Sequence, residues 1–223
     1  MAQQATASVA ACDKASGDQS FEHVFASLGS KTTCDCFSSK YRQRSELPMP
    51  MTIWHCHVAM SLDGKIARTD GSFDWLEPYP PQEFGMSAFA TGLDAVVMGR
   101  ATYEIERGMG EWRHPGKPVF VVTSRPLVDP PPLVEARSGD LVALADDLER
   151  RGCRKVGIEG GGQLIRGLIG IGKLDVLEMA IIPLVLGEGI PLFPAGTPEL
   201  KLRLISCQAR GGGALHVVYG RAE

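Results

Sequence analysis

Three short apolar runs constrain this chain more than any other feature. Residues 95–98 (AVVM), 119–122 (VFVV) and 156–158 (VGI) are too short for helices and show no polar alternation. Such runs suit strands buried on both faces of a parallel sheet. Each gives way at once to glycine, hydroxyl or charged residues: GRAT at 99–102, TSRP at 123–126 and EGGGQ at 159–163. Helical patterns lie between them. Over 140–151, Leu141, Leu144, Ala145 and Leu148 share one face and Gly152 follows as a stop. A short helix is expected over 81–91, ending at Gly92, and another over 163–169. Further strands are expected at 53–60, 176–182, 202–208 and 214–219, the last two joined by RGGG at 210–213. Strands alternating with helices predict an α/β fold: a mostly parallel sheet flanked by helices, with an antiparallel C-terminal edge hairpin.

Charge narrows the function. Lys and Arg number 23 against 26 Asp and Glu, a formal charge of -3, which excludes the clustered basic excess of a nucleic-acid binder. No apolar run approaches the roughly 18–20 residues of a membrane span. At 223 residues the chain is one generous domain or one domain with an appendage. Residues 1–50 carry no sustained period and are read as a disordered extension ahead of a domain over 51–223, with Met51 as a candidate natural start. The VAAC at 9–12 lacks the basic and apolar regions of a lipoprotein signal. The six cysteines form no disulfide framework, in keeping with a cytoplasmic protein. In His55-Cys56-His57 a strand would put both histidines on one face and the thiol on the other, so a buried strand is favoured and no metal is expected.

In parallel sheets ligands gather at the carboxyl ends of strands. That rule selects 61–65, 99–102, 123–125 and 159–162. The glycines Gly160, Gly161 and Gly162 open a helix, where backbone N–H groups and the helix dipole favour phosphate. This is not the dinucleotide fingerprint, since Ile165 stands where its last glycine belongs. The P-loop-like spacing from Gly167 to Lys173 ends a helix and lacks the Ser/Thr, which argues against a kinase or ATPase. Arg100 and Arg125 can each pair with a phosphate, and Thr102 can cap a helix or bind a phosphate oxygen. Asp63, Asp74, Glu77, Glu83 and Glu159 are the carboxylates near this rim.

The segments VVMGRATYE (96–104), VFVVTSRP (119–126) and GIEGGGQLI (157–165) resemble, in order, the cofactor-binding elements of dihydrofolate reductase. SLDGKIA (61–67) and LVLGEGIPLF (184–193) resemble the reductase domain of the riboflavin-biosynthesis deaminase-reductase and its stand-alone relatives. The resemblance implies a dihydrofolate reductase-like sheet with NADPH across its carboxyl edge. Gly99, Arg100 and Thr102 would contact the pyrophosphate side. Thr123, Ser124 and Arg125 would meet the adenosine 2′-phosphate, and Gly160, Gly161, Gly162, Gln163 and Leu164 the pyrophosphate at the helix start. Ser61, Asp63 and Trp75 would lie near the nicotinamide. Asp63, Glu83 and Glu159 are the implied catalytic carboxylates. The substrate loop carries Ser-Leu-Asp-Gly in place of the Pro-Trp pair of dihydrofolate reductases, and no zinc-deaminase signature is present.

The expected activity is therefore NADPH-dependent hydride transfer to a pyrimidine- or pterin-like small molecule. The leading substrate is the phosphoribosylaminopyrimidine of riboflavin synthesis, with Lys65, Arg68, Arg107 and Arg113 as candidates for its phosphate. The alternatives are a dihydrofolate, pterin or xenobiotic reductase and a non-catalytic NADPH-binding module. Relatives and the apolar C-terminal third suggest a homodimer.

Overall fold

The computed structural model of the chain describes residues 51–222; the extension read over 1–50 lies outside them. In chain order the elements are β1 (Ile53–Ser61), β2 (Lys65–Ala67), α1 (Met86–Thr91), β3 (Ala95–Gly99), α2 (Arg100–Gly108), β4 (Val119–Val122), β5 (Val134–Arg137), α3 (Leu141–Arg150), β6 (Lys155–Glu159), α4 (Gly162–Gly170), β7 (Val176–Ile182), β8 (Ile190–Pro191), β9 (Leu202–Ala209) and β10 (Leu215–Arg221). Eight strands form one sheet in the order β5-β4-β3-β6-β1-β7-β10-β9, and β2 pairs separately with β8. From β5 to β7 every pairing is parallel; β10 runs antiparallel to both β7 and β9.

Side-chain alternation sorts the strands between two faces. Val97 and Phe120 point toward Leu144, Leu148, Ile165 and Leu168 of α3 and α4. Val96, Met98, Val119 and Val121 point the other way, onto Phe89 of α1 and Tyr103 of α2. Farther along, Ala180 and Ile182 of β7 meet Trp75 and Phe84. Gly157 interrupts the apolar run of β6 because a Cβ there would stand 2.5 Å from a Leu93 methyl. His55 and His57 share one face as expected, their rings 5.0 and 5.2 Å from Phe89, while Cys56 enters the opposite core and burial pushes its thiol up to about 12.

The single helix expected over 81–91 is broken. Residues 81–84 make a tight 3₁₀ turn, and α1 begins only after Gly85, which adopts φ +82°. A side chain at Gly85 would strike the Glu178 carboxylate, so the break lets this segment seat on β7. Strands β2, β5 and β8 and helix α2 are not marked by the sequence pattern, being short or poor in apolar residues.

Candidate active site

The two helices that follow β3 and β6 start side by side. Neither α2, entered through Gly99, nor α4, entered through Gly161, has a side-chain cap. Helix α3 is built differently: the Asp140 carboxylate accepts the Ala143 N–H at 2.9 Å. Close approach of the two open helix starts depends on glycine. Gly160, at φ +144°, would place a Cβ 2.9 Å from Thr102 Oγ1 and 3.0 Å from the Gly99 nitrogen. A Cβ on Gly162 would meet the carbonyl oxygens of Pro191 and Leu192 at 2.5 and 2.6 Å. Gly99 and Gly161, in contrast, face open space, with nothing within 4 Å of the Cβ position. Two glycines thus close the packing and two leave the backbone accessible, which makes a concave, electropositive anion cradle.

Arg100 serves the neighbouring loop. Its guanidinium donates to the carbonyls of Arg125 and Pro126 at 3.1 and 2.9 Å and pairs with Glu104 at 2.7 Å. The Thr123 hydroxyl accepts the Arg125 N–H at 3.1 Å, and Ser124 and Arg125 are exposed beside it at the end of β4. Arg100 therefore ties this loop to the start of α2.

A cavity of about 1150 Å³ runs along this edge and joins the cradle to a second, apolar end. Gly99, Arg100, Thr102, Glu159, Gly160, Gly161, Gly162, Gln163 and Leu164 line it, so nine of the sequence-predicted residues converge. The apolar end rests on β7, through Ala180 and Ile182, and on Phe73, Leu76, Tyr79 and Phe84.

Between the two ends Glu159, a candidate from the sequence, meets two residues that no sequence pattern marked. Glu159 at the end of β6, Glu106 on α2 and His114 in the following loop are all buried. His114 Nε2 stands 3.1 Å from a Glu106 oxygen and 3.2 Å from a Glu159 oxygen. Burial opposes a charged imidazole, but the two carboxylates prevail and raise His114 to about 9. The same contact with His114, aided by the charge of Arg113, holds Glu159 below the usual carboxylate range against the pull of burial. Glu106 and Glu159 line the cavity and His114 stands behind them. The three present donor atoms within 4.8 Å of one another, the one such cluster among the described residues with the spacing of a metal site. No sequence signal marked it, because Glu106 belongs to an unforeseen helix and His114 to a loop without periodicity.

The other predicted residues lie elsewhere. The buried Ser61 hydroxyl donates to Asp63 at 2.6 Å and accepts the Lys65 N–H at 2.9 Å. Asp63 also accepts the N–H groups of Leu186 and Gly187, at 3.0 and 2.8 Å, and these bonds hold its carboxyl at about 2. It fastens the 61–64 turn to the segment before β8, as an ionised group with no proton to give at neutral pH. Glu83 is exposed on its 3₁₀ turn, outside the cavity lining. Trp75 is buried beneath the apolar end, packed with Phe84 and Ile182 rather than exposed to the cavity. A further buried network sits under Gly85: Glu178 bridges His55 and His216 at 2.8 and 2.7 Å, and these histidines hold it at about 2.

The sheet order and its antiparallel edge define a dihydrofolate reductase-like fold. Enterococcus faecalis dihydrofolate reductase, complexed with NADP(H) and RAB-propyl, superimposes with a TM-score of 0.54 at 21% identity, over 77% of this chain and 97% of that one. Within that fold the chain belongs to the RibD C-terminal domain family, whose pattern matches residues 54–216. The uncharacterized protein YwjB of Bacillus subtilis (strain 168) is 33% identical over 168 residues, 74% of this chain and 96% of YwjB. A Shewanella sp. PV-4 protein named for riboflavin biosynthesis gives a TM-score of 0.70 at 28% identity, covering 77% of this chain and all of that one. No helix among the described residues is long and apolar enough to cross a membrane.

Proposed function

We propose that the protein is an NADPH-dependent reductase acting on a flat pyrimidine- or pterin-like ring. The observation that carries this reading is the pair of uncapped helix starts, packed through Gly160 at the ends of adjacent parallel strands and opening into one cavity with a buried carboxylate group. The residues fit a dinucleotide. Backbone groups at Gly99 and from Gly161 to Leu164 would hold its pyrophosphate, and Ser124 and Arg125 a 2′-phosphate. When bound, the cofactor supplies a hydride.

The chain's own residues supply the rest. The apolar wall from Phe73 to Phe84 orients a flat ring and excludes water. Reduction of a C=N or C=O bond requires two electrons with the hydride at carbon and one proton at the heteroatom. Of the three carboxylates implied by family resemblance, Glu159 is the one that lines the cavity, and His114 holds a proton on Nε2 within 3.2 Å of it. We assign the proton supply to His114, handed on through the Glu159 carboxylate that faces the cavity, with Glu106 as the second carboxylate on the imidazole and Asp63 as a loop fastener. The outermost strand β9 leaves Leu204 and Ile205 half exposed, which supports a homodimer.

The test is reduction of a panel of pyrimidines and pterins with NADPH deuterated at the nicotinamide C4. The expected result is NADPH oxidation with deuterium in the product. Tight NADPH binding without oxidation by any ring would favour the non-catalytic module.

A further inference from the structure

We infer that the substrate of this cavity carries no phosphate and is a neutral or protonated flat heterocycle, a deepening that rests on the reductase reading above. A phosphate monoester brings a charge of about −1.5 to −2 at neutral pH and requires cations or several N–H donors in place of its water. Among the described residues, the apolar end supplies no cation of its own. Its walls are hydrocarbon and aromatic, and the charged groups that line it are the carboxylates of Asp74 and Glu77. Among the described residues, four carboxylates, with Glu106 and Glu159 included, line the cavity against two guanidiniums, Arg100 and Arg113, and no lysine.

The two arginines stand beside the cradle and beside the carboxylate group. Arg100 is held by Glu104 and two loop carbonyls beside the cradle. Arg113 is exposed in the loop beside His114 and is close enough to Glu159 to lower its pKa, which puts it at the carboxylate group between the two ends. The other cations suggested by the sequence lie outside the cavity lining. Arg68 pairs with Asp74 at 2.8 Å, Arg107 donates to the Asp129 carbonyl at 3.3 Å, and Lys65 sits on β2. His57 does line the cavity, but burial lowers its pKa and keeps the ring neutral. What the apolar end does present is aromatic surface for a flat ring, together with carboxylates that accept ring N–H groups. Asp74 is already paired with Arg68, so Glu77 is the carboxylate of this end that opposes an anion and favours a neutral or cationic ring.

The test titrates two matched pairs into the full-length protein, with and without saturating NADP⁺. The pairs are 5-amino-6-ribosylaminouracil with its 5′-phosphate, and 7,8-dihydroneopterin with its 3′-phosphate. Within a pair only the phosphate differs. The expected result is binding of at least one phosphate-free ring, with its phosphate ester at least about tenfold weaker. Tighter binding of either ester, lost in Arg113→Ala, would overturn the inference and leave the reductase reading standing. Failure of both phosphate-free rings to bind at millimolar concentration would overturn it as well. Absence of NADP⁺ binding is read in the same titrations and would overturn the cofactor reading instead.

Discussion

His114 Nε2 lies 3.2 Å from the carboxylate of Glu159, joining a loop histidine to the last residue of a central parallel strand inside the protein. Glu106 approaches the same nitrogen from α2 at 3.1 Å. Two buried carboxylates converging on one imidazole are tolerable only while that imidazole keeps its proton.

A pH signature follows. The folded-state value of His114, about 9, lies above its ordinary 6.5. Its contribution to stability is therefore complete below pH 6.5 and is lost as pH rises through 9. Thermal melts of the native chain should decline across that window, and melts of His114→Gln should decline less. His114→Leu, which leaves both carboxylates without a donor, should cost about 3 kcal/mol at pH 7 in chemical denaturation. A His114→Leu variant as stable as the parent would remove the charge-pair account.

Gly161 and Gly162 should separate binding from folding. Gly161 has φ −61° and open space before it, so Gly161→Val should keep the fold within about 1 kcal/mol while filling the cradle. Gly162→Ala drives a methyl to within 2.6 Å of two carbonyl oxygens and should destabilise by about 1–3 kcal/mol. Paired denaturation curves and NADPH titrations check both. Retained NADPH affinity in Gly161→Val would reduce the glycine run to a packing device.

Arg125 and Arg100 stand in adjacent positions with different work. Arg125→Ala should weaken NADPH by about tenfold and NADH hardly at all, because one charge-assisted contact to the 2′-phosphate is lost. Arg100→Ala releases the 123–126 loop that its guanidinium holds and should weaken both cofactors. Equal losses in Arg125→Ala would take that residue out of the 2′-phosphate site.

Acid should act through Glu178. Bridged by His55 and His216, its carboxyl is held at about 2 against an ordinary 4.5. A depressed carboxylate contributes stability above its unfolded value and loses it as pH falls, here between 4.5 and 2. Glu178→Gln should cost about 3 kcal/mol at pH 7 and show a shallower acid transition by circular dichroism.

How much of this was legible in the sequence depended on range. The buried strands announced themselves as short apolar runs, and α3 by one apolar face closed with Asp140 and Gly152. The cradle was legible because a strand running into glycines fixes the direction of the backbone. Local patterns could not show that Gly85 splits a helix, since the cause is the Glu178 carboxylate on a strand 93 residues onward. Nor could they bring Glu106, His114 and Glu159 together, because that meeting depends on β3 and β6 being neighbours. For the same reason the contacts of Asp63 with Leu186 and Gly187, far along the chain, leave no trace in the local pattern.

The most direct test of the central claim is calorimetric titration of the native chain with NADPH and, separately, with NADH. The account predicts one NADPH site per chain, bound at least about tenfold tighter than NADH through the 2′-phosphate contact. No NADPH binding, or equal affinity for the two cofactors, would contradict it.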